Sequence, residues 1–184
     1  MTVMAELPWG RSLTVADLDL MPDDGHRYEL IDGVLLVSPA PSTLHQHLVL
    51  RLARILEDDC PADLKVFLAP LDVDLAEDTR LQPDVLVARR ADLTERGLPA
   101  APVLAVEVAS PSTRRFDYMT KRARFEAAGT PAFWVLDPEL PALTAWNLQD
   151  AEYAQVANVL GDETYEAVLP FPVTVSPARL VADY

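Results

Sequence analysis

Two short hydrophobic stretches each carry one carboxylate where an apolar residue would be expected: Leu81-Gln82-Pro83-Asp84-Val85-Leu86-Val87 and Val103-Leu104-Ala105-Val106-Glu107-Val108. A segment opening Ser110-Pro111-Ser112-Thr113 comes directly after and carries Lys121. An ionised carboxylate in a buried strand costs several kcal/mol unless it is paired or bound to a metal. Two of them on neighbouring strands, with a cation on the next helix, predict a divalent-metal site with an assisting lysine, the ligand set of phosphodiester hydrolysis. Asp84 opens its strand and Glu107 lies near the end of the next, so antiparallel pairing places both at the same end of the sheet. Oxygen ligands of this kind suit Mg²⁺, which keeps several waters and uses one or two carboxylates. The bland alternative, an acid facing water at a strand margin, fits Glu107 poorly because its neighbours on both sides are apolar.

Lys121 is one of only two lysines, beside thirteen arginines. A compact ammonium can orient a water or neutralise developing charge on a phosphate. It also forms an i,i+4 pair with Asp117, which is the plainer account of its presence. Residues 112–128 hold five basic residues (Arg114, Arg115, Lys121, Arg122, Arg124) and two acidic ones, a local +3 in a chain of −14 that leaves −17 elsewhere. This strip is read as a phosphate-facing surface or as a solvated helix face. Glu29 reaches the site only through tertiary folding and is a second-tier candidate, as is Asp117. His45 and His47 lie two apart on a predicted helix, point in different directions, and are assigned a surface or half-buried role.

The elements that must position these residues follow from pattern. A short helix is expected over 14–20 with Thr14 as N-cap. Residues 28–37 read as a hairpin about Asp32-Gly33 with a type I′ turn, ended by Pro39 and Pro41. A helix capped by Ser42 or Thr43 runs to Glu57, with Leu44, Leu48, Leu52, Ile55 and Leu56 at helical spacing. One strand is expected over 66–75, with Pro70 implying an edge or a bulge, and strands over 84–88 and 103–108 follow, separated by a helical turn at 91–97. A helix over 112–128 is punctuated by Gly129 and Pro131. A buried strand covers 132–136, with weaker strands near 143–147, 152–156 and 173–175. The order helix, three strands, helix, strand predicts an α/β (α+β) domain with a mixed central sheet, an N-terminal hairpin and C-terminal strands.

With 184 residues, half of them apolar and 24% charged, the chain is expected to form one globular domain over 1–184. No apolar run approaches the roughly 18 to 20 residues of a membrane span, so no membrane partner is expected. Met1 to Glu6 lack the basic-then-apolar pattern of a secretory signal; a cytoplasmic protein is the expectation. A single cysteine, Cys60, excludes an internal disulfide and a thiolate zinc site. With six glycines there is no phosphate-cradling loop, and no Gly-x-Ser-x-Gly elbow appears.

Several segments taken together resemble a known family: residues 27–33 (Arg-Tyr-Glu-Leu-Ile-Asp-Gly), Gln82-Pro83-Asp84, residues 106–113, the Asp117…Lys121 pair, and residues 128–138. They are similar to the Uma-two family of restriction-endonuclease-like proteins, placed in the PD-(D/E)XK nuclease superfamily. The resemblance runs from about Thr14 to Leu180. It implies a restriction-endonuclease-like core and Mg²⁺-dependent endonuclease activity, with Mn²⁺ able to substitute. Asp84 would be the metal ligand of the PD half and Glu107 the other ligand. The signature wants a lysine two residues after the acid, where this chain has Ala109; in this family Lys121 would take that role from the next helix. The N-terminus of that helix, at Ser112 and Thr113, would add to phosphate binding.

DNA is the expected partner and a two-fold homodimer the expected assembly. Two other readings stay open: a catalytically inactive nuclease-fold binding or assembly module, which the −14 charge favours, and a metal-dependent hydrolase of a small phosphorylated substrate.

Overall fold

The computed structural model describes residues 10–22, 24–38, 40–110 and 114–184. After a four-residue helix α1 (Val15–Leu18), strands β1 (Arg27–Ile31) and β2 (Val34–Ser38) form the expected hairpin. Its turn residues Asp32 and Gly33 take φ of 51° and 75°, the left-handed pair that a type I′ turn requires. Gly33 has a second constraint: a Cβ there would lie 2.5 Å from the Cβ of Ser12. The long helix α2 (Thr43–Asp58) is capped by Ser42, whose hydroxyl accepts from the His45 N–H at 3.2 Å. It buries Leu48, Leu52, Ala53 and Leu56, the apolar stripe that its spacing predicts.

Strands β3 (Leu64–Leu68) and β4 (Asp72–Ala76) correct one expectation. They are two strands in different sheets, not a single strand over 66–75, and the cis Ala69–Pro70 bond lies between them. Strands β5 (Thr79–Leu81), β6 (Val85–Arg89), β7 (Gly97–Leu98) and β8 (Leu104–Val108) follow; the region expected as a helical turn holds one 3₁₀ turn (Arg90–Asp92) before β7. The next helix is described from Arg114 onward, and the expected N-cap at Ser112 or Thr113 lies outside the described residues. From 114 it runs into a π-helical turn, Phe116–Lys121, and then α3 (Arg122–Ala127). Gly129, at φ 80°, ends it, and the Thr130 N–H donates back to the Phe125 carbonyl at 3.0 Å. Strands β9 (Ala132–Asp137), β10 (Ala142–Gln149), β11 (Glu152–Leu160), β12 (Tyr165–Ala167) and β13 (Val173–Val175) and a short α4 (Pro177–Val181) complete the chain.

A six-stranded mixed sheet, ordered β11-β10-β9-β8-β6-β3, forms the centre. β3, β6 and β8 are an antiparallel meander, and the crossover through α3 makes β9 parallel to β8. With α2 in front, this is the order helix, three strands, helix, strand. One face packs against α2, α4 and the β12–β13 pair through Leu52, Val87, Val106, Trp134 and Leu180. The opposite face is covered by α3, through Phe125, and by a five-stranded sheet (β2-β1-β5-β4-β7) that contributes Ile31, Leu81, Val73 and Leu98. Residues of β8 alternate between the two faces: Val106 joins the first core and Ala105 the second. Glu107 therefore points into the layer between the two sheets.

Candidate active site

β6 and β8 pair antiparallel with Val85 opposite Val106, so one step further Asp84 stands across from Glu107 at the same end of the sheet. The pairing goes beyond the backbone: the Asp84 Oδ2 accepts the N–H of Val108, next to Glu107, at 2.8 Å. β1 brings Glu29 and Arg27 over this end from the second sheet, and the π-helical turn brings Asp117 and Lys121. All five residues singled out in the sequence (Asp84, Glu107, Lys121, Glu29, Asp117) meet in one cluster, each at most 4% exposed.

The Lys121 ammonium lies 3.1 Å from Glu107 Oε2, 3.1 Å from Glu29 Oε1 and 4.0 Å from Asp117 Oδ1. Asp117 and Lys121 are the buried residues of the π-helical turn, and such turns recur at functional sites. Burial alone would drive the lysine toward neutrality, but the charges of Glu107 and Glu29 raise its pKa above the ordinary range. It stays a cation and a donor, never a base at neutral pH. Glu29 Oε1 also accepts the Gln82 N–H at 2.9 Å, which ties β1 to the segment leading into Asp84.

The two opposed carboxyls behave differently. Burial pushes the Glu107 carboxyl well above its usual range, and Asp84, Asp117 and Glu29 push the same way against Lys121. Burial also opposes ionisation of Asp84, yet the hydrogen bond from His45 and the charges of Arg27, His45 and Lys121 hold its pKa well below the usual carboxylate range. The environment thus separates two like groups into an acid that keeps its charge and one that resists it.

Two members of the cluster carried no such signal in the sequence. Arg27 places Nη1 2.9 Å from Asp84 Oδ1 and Nη2 3.3 Å from Glu29 Oε1. His45 places Nε2 3.3 Å from the same Asp84 Oδ1. His45, expected at the surface or half-buried, is half-buried, and its ring reaches the cluster, while His47 turns away to the Ala182 carbonyl at 3.1 Å. The available signal was position: His45 is in the first turn of α2, three residues before buried Leu48, at the rim of the apolar stripe.

The basic strip also needs correcting. Arg114 reaches Asp137 at 2.6 Å and Glu139 at 3.6 Å, Arg124 pairs with Asp32 at 2.9 Å, and Arg122 lies over the Trp146 ring at 5.2 Å. With Lys121 inside the cluster, four of its five cations are engaged within the fold, and exposed Arg115 faces solvent.

A divalent ion fits this donor set in one respect that can be read atom by atom. Glu107 Oε1 is buried with no hydrogen-bond partner among the described residues. Asp84 Oδ1 accepts from Arg27 Nη1 and has His45 Nε2 3.3 Å away, whereas among the described residues Oδ2 takes a single N–H and keeps a lone pair. Two carboxylate oxygens on adjacent strands are therefore open to a cation. Among the described residues no group of three or more His, Cys, Asp or Glu side chains is placed to hold a metal ion.

The family model Uma2, described as "Putative restriction endonuclease", matches residues 15–180. Among solved structures, the chain is similar to a "putative nuclease belonging to DUF820" from Anabaena variabilis ATCC 29413, with 19% identity, a TM-score of 0.72, and coverage of 92% of this chain and 97% of that one. At that identity the likeness concerns the fold. No curated protein shows a detectable match. Among the described residues no helix is long and apolar enough to cross a membrane.

Proposed function

Since the chain belongs to the Uma2 family, we propose that it is a metal-dependent endonuclease that hydrolyses phosphodiester bonds in nucleic acid, DNA in the first place. Asp84 and Glu107 would hold the ion, Mg²⁺ with Mn²⁺ able to substitute. The observation that carries this reading is the pair of open carboxylate oxygens on β6 and β8 with the buried Lys121 ammonium 3.1 Å from Glu107.

When bound, the ion supplies a water of lowered pKa and a positive charge beside the scissile phosphate. The protein does the rest. Lys121, held protonated between Glu29 and Glu107, donates to oxygen and offsets charge as the phosphate becomes more negative. Glu29 and Asp117 keep that ammonium in place and charged. Arg27, 22% exposed on its side chain, is the cation at the outer side of the cluster and can donate to a phosphate oxygen from its guanidinium fork. A two-fold dimer would present one such site to each strand of a duplex.

The engaged arginines favour a second reading, an inactive nuclease-fold binding or assembly module, because little unpaired positive charge is left to track a polyanion. Calorimetric titration with Mn²⁺ of the wild type beside Asp84→Asn separates the two. Saturable binding that the variant loses is expected of the enzyme; a wild type that binds no metal contradicts it.

A further inference from the structure

We infer that His45 is a positioning residue for the metal-ligating carboxylate: its Nε2, 3.3 Å from Asp84 Oδ1, restrains that carboxylate so that Oδ2 is turned toward β8 as the ligand oxygen. This rests on the reading of Asp84 as a metal ligand given above. His45 Nε2 and Arg27 Nη1 converge on Oδ1 at 3.3 Å and 2.9 Å, whereas among the described residues Oδ2 takes only the Val108 N–H. A carboxylate has two oxygens that exchange by rotation about χ2. Occupying one with two donors selects a single orientation.

The two donors come from different places in the fold. Arg27 is on β1, in the sheet over the cluster. His45 is in the first turn of α2, whose Leu48, Leu52 and Leu56 pack on the opposite face of the central sheet. The carboxylate is thereby anchored to both layers, and its orientation does not rest on a single flexible arginine. His45 is half-buried at a helix end, with its side chain 17% exposed.

The test is Mn²⁺ titration calorimetry on the full chain as wild type, H45A, H45Q and D84N, with thermal unfolding of each metal-free protein. H45A is expected to unfold cooperatively near the wild-type temperature while its Mn²⁺ affinity falls by about 10- to 100-fold. H45Q, which restores a donor on a side chain of similar reach, is expected to recover part of that loss. D84N should bind no Mn²⁺ at this site. H45A binding as tightly as wild type beside a dead D84N overturns the role of His45 and leaves the metal reading intact, and an H45Q no better than H45A overturns the polar contact as its basis. If wild type itself binds nothing, the metal reading falls and this role with it. Should H45A not fold, H45L, which keeps side-chain bulk without a donor, takes its place in the comparison.

Discussion

Lys121 Nζ and Glu107 Oε2 lie 3.1 Å apart in a region where both residues are almost fully buried. The ammonium is shared with Glu29 and Asp117, so removing the lysine leaves several buried carboxyl groups without compensation. Lys121→Met would leave Glu29, Glu107 and Asp117 around an apolar chain. The expected cost is about 3–5 kcal/mol, seen as a lower urea midpoint, and it should shrink in acid as the carboxyls take up protons. Equal midpoints for Lys121→Met and wild type at neutral pH would mean that the ammonium does not hold the cluster together.

Glu107 and Asp84 give stability opposite dependences on pH. Because the Glu107 pKa is raised in the folded state, its contribution is fully present below the unfolded value of about 4.3 and is lost as pH rises through the folded value. Asp84, whose folded pKa is depressed, contributes above about 3.9 and loses that contribution as pH falls toward its folded value. Glu107→Gln should therefore be more stable than metal-free wild type, by a margin that widens as pH rises above about 4.3. Unfolding midpoints across pH check this; a margin that narrows with rising pH reverses the sign of the Glu107 shift.

The same shift couples metal to protons, since a ligand carboxyl must be ionised. Mn²⁺ binding should tighten as pH rises and release protons, measured as a binding enthalpy that changes between buffers of different ionisation heat. Proton uptake on binding would contradict the account.

The arginines of the α3 segment should separate by their partners. Arg115 is exposed, so Arg115→Ala is expected to weaken polynucleotide binding and to reduce the salt slope by about 1. Arg122 stacks on Trp146 at 5.2 Å; Arg122→Ala should cost about 0.5–1 kcal/mol of stability and leave the slope unchanged. The reverse pattern would place the phosphate-facing surface elsewhere.

Leu52 is fully buried in the core beneath α2. Leu52→Ala is expected to cost about 2–5 kcal/mol yet bind Mn²⁺ as wild type does wherever it remains folded. A parallel loss of metal affinity in urea-free buffer would mean that the site senses the packing of α2 directly.

Much of this fold and cluster is legible in the sequence, for physical reasons that differ by element. β6 and β8 announce themselves as apolar runs, and a carboxylate inside such a run is costly enough to need an explanation, which is why Asp84 and Glu107 stand out. Lys121 stands out by rarity. The hairpin is legible from Asp32-Gly33, which only a tight left-handed turn favours. β5, β7 and β12 are not, because two or three residues show no period. The split of 66–75 into β3 and β4 is hidden because Pro70 reads equally as a break within one strand or between two. Arg27 and His45 are hidden for a deeper reason: each meets Asp84 across a long sequence separation, from β1 and from α2, and no local pattern records tertiary proximity. The positive strip misleads for the same cause, since Asp137 and Asp32, which engage Arg114 and Arg124, are distant in sequence.

The central claim is hydrolysis directed by the Asp84–Glu107 pair, and conversion of supercoiled plasmid DNA to nicked and linear forms tests it most directly. With Mg²⁺ or Mn²⁺ present, wild type is expected to cut and Asp84→Asn and Glu107→Gln to leave the plasmid intact, while chelator abolishes the wild-type activity. Cleavage that persists in either folded variant would contradict the account.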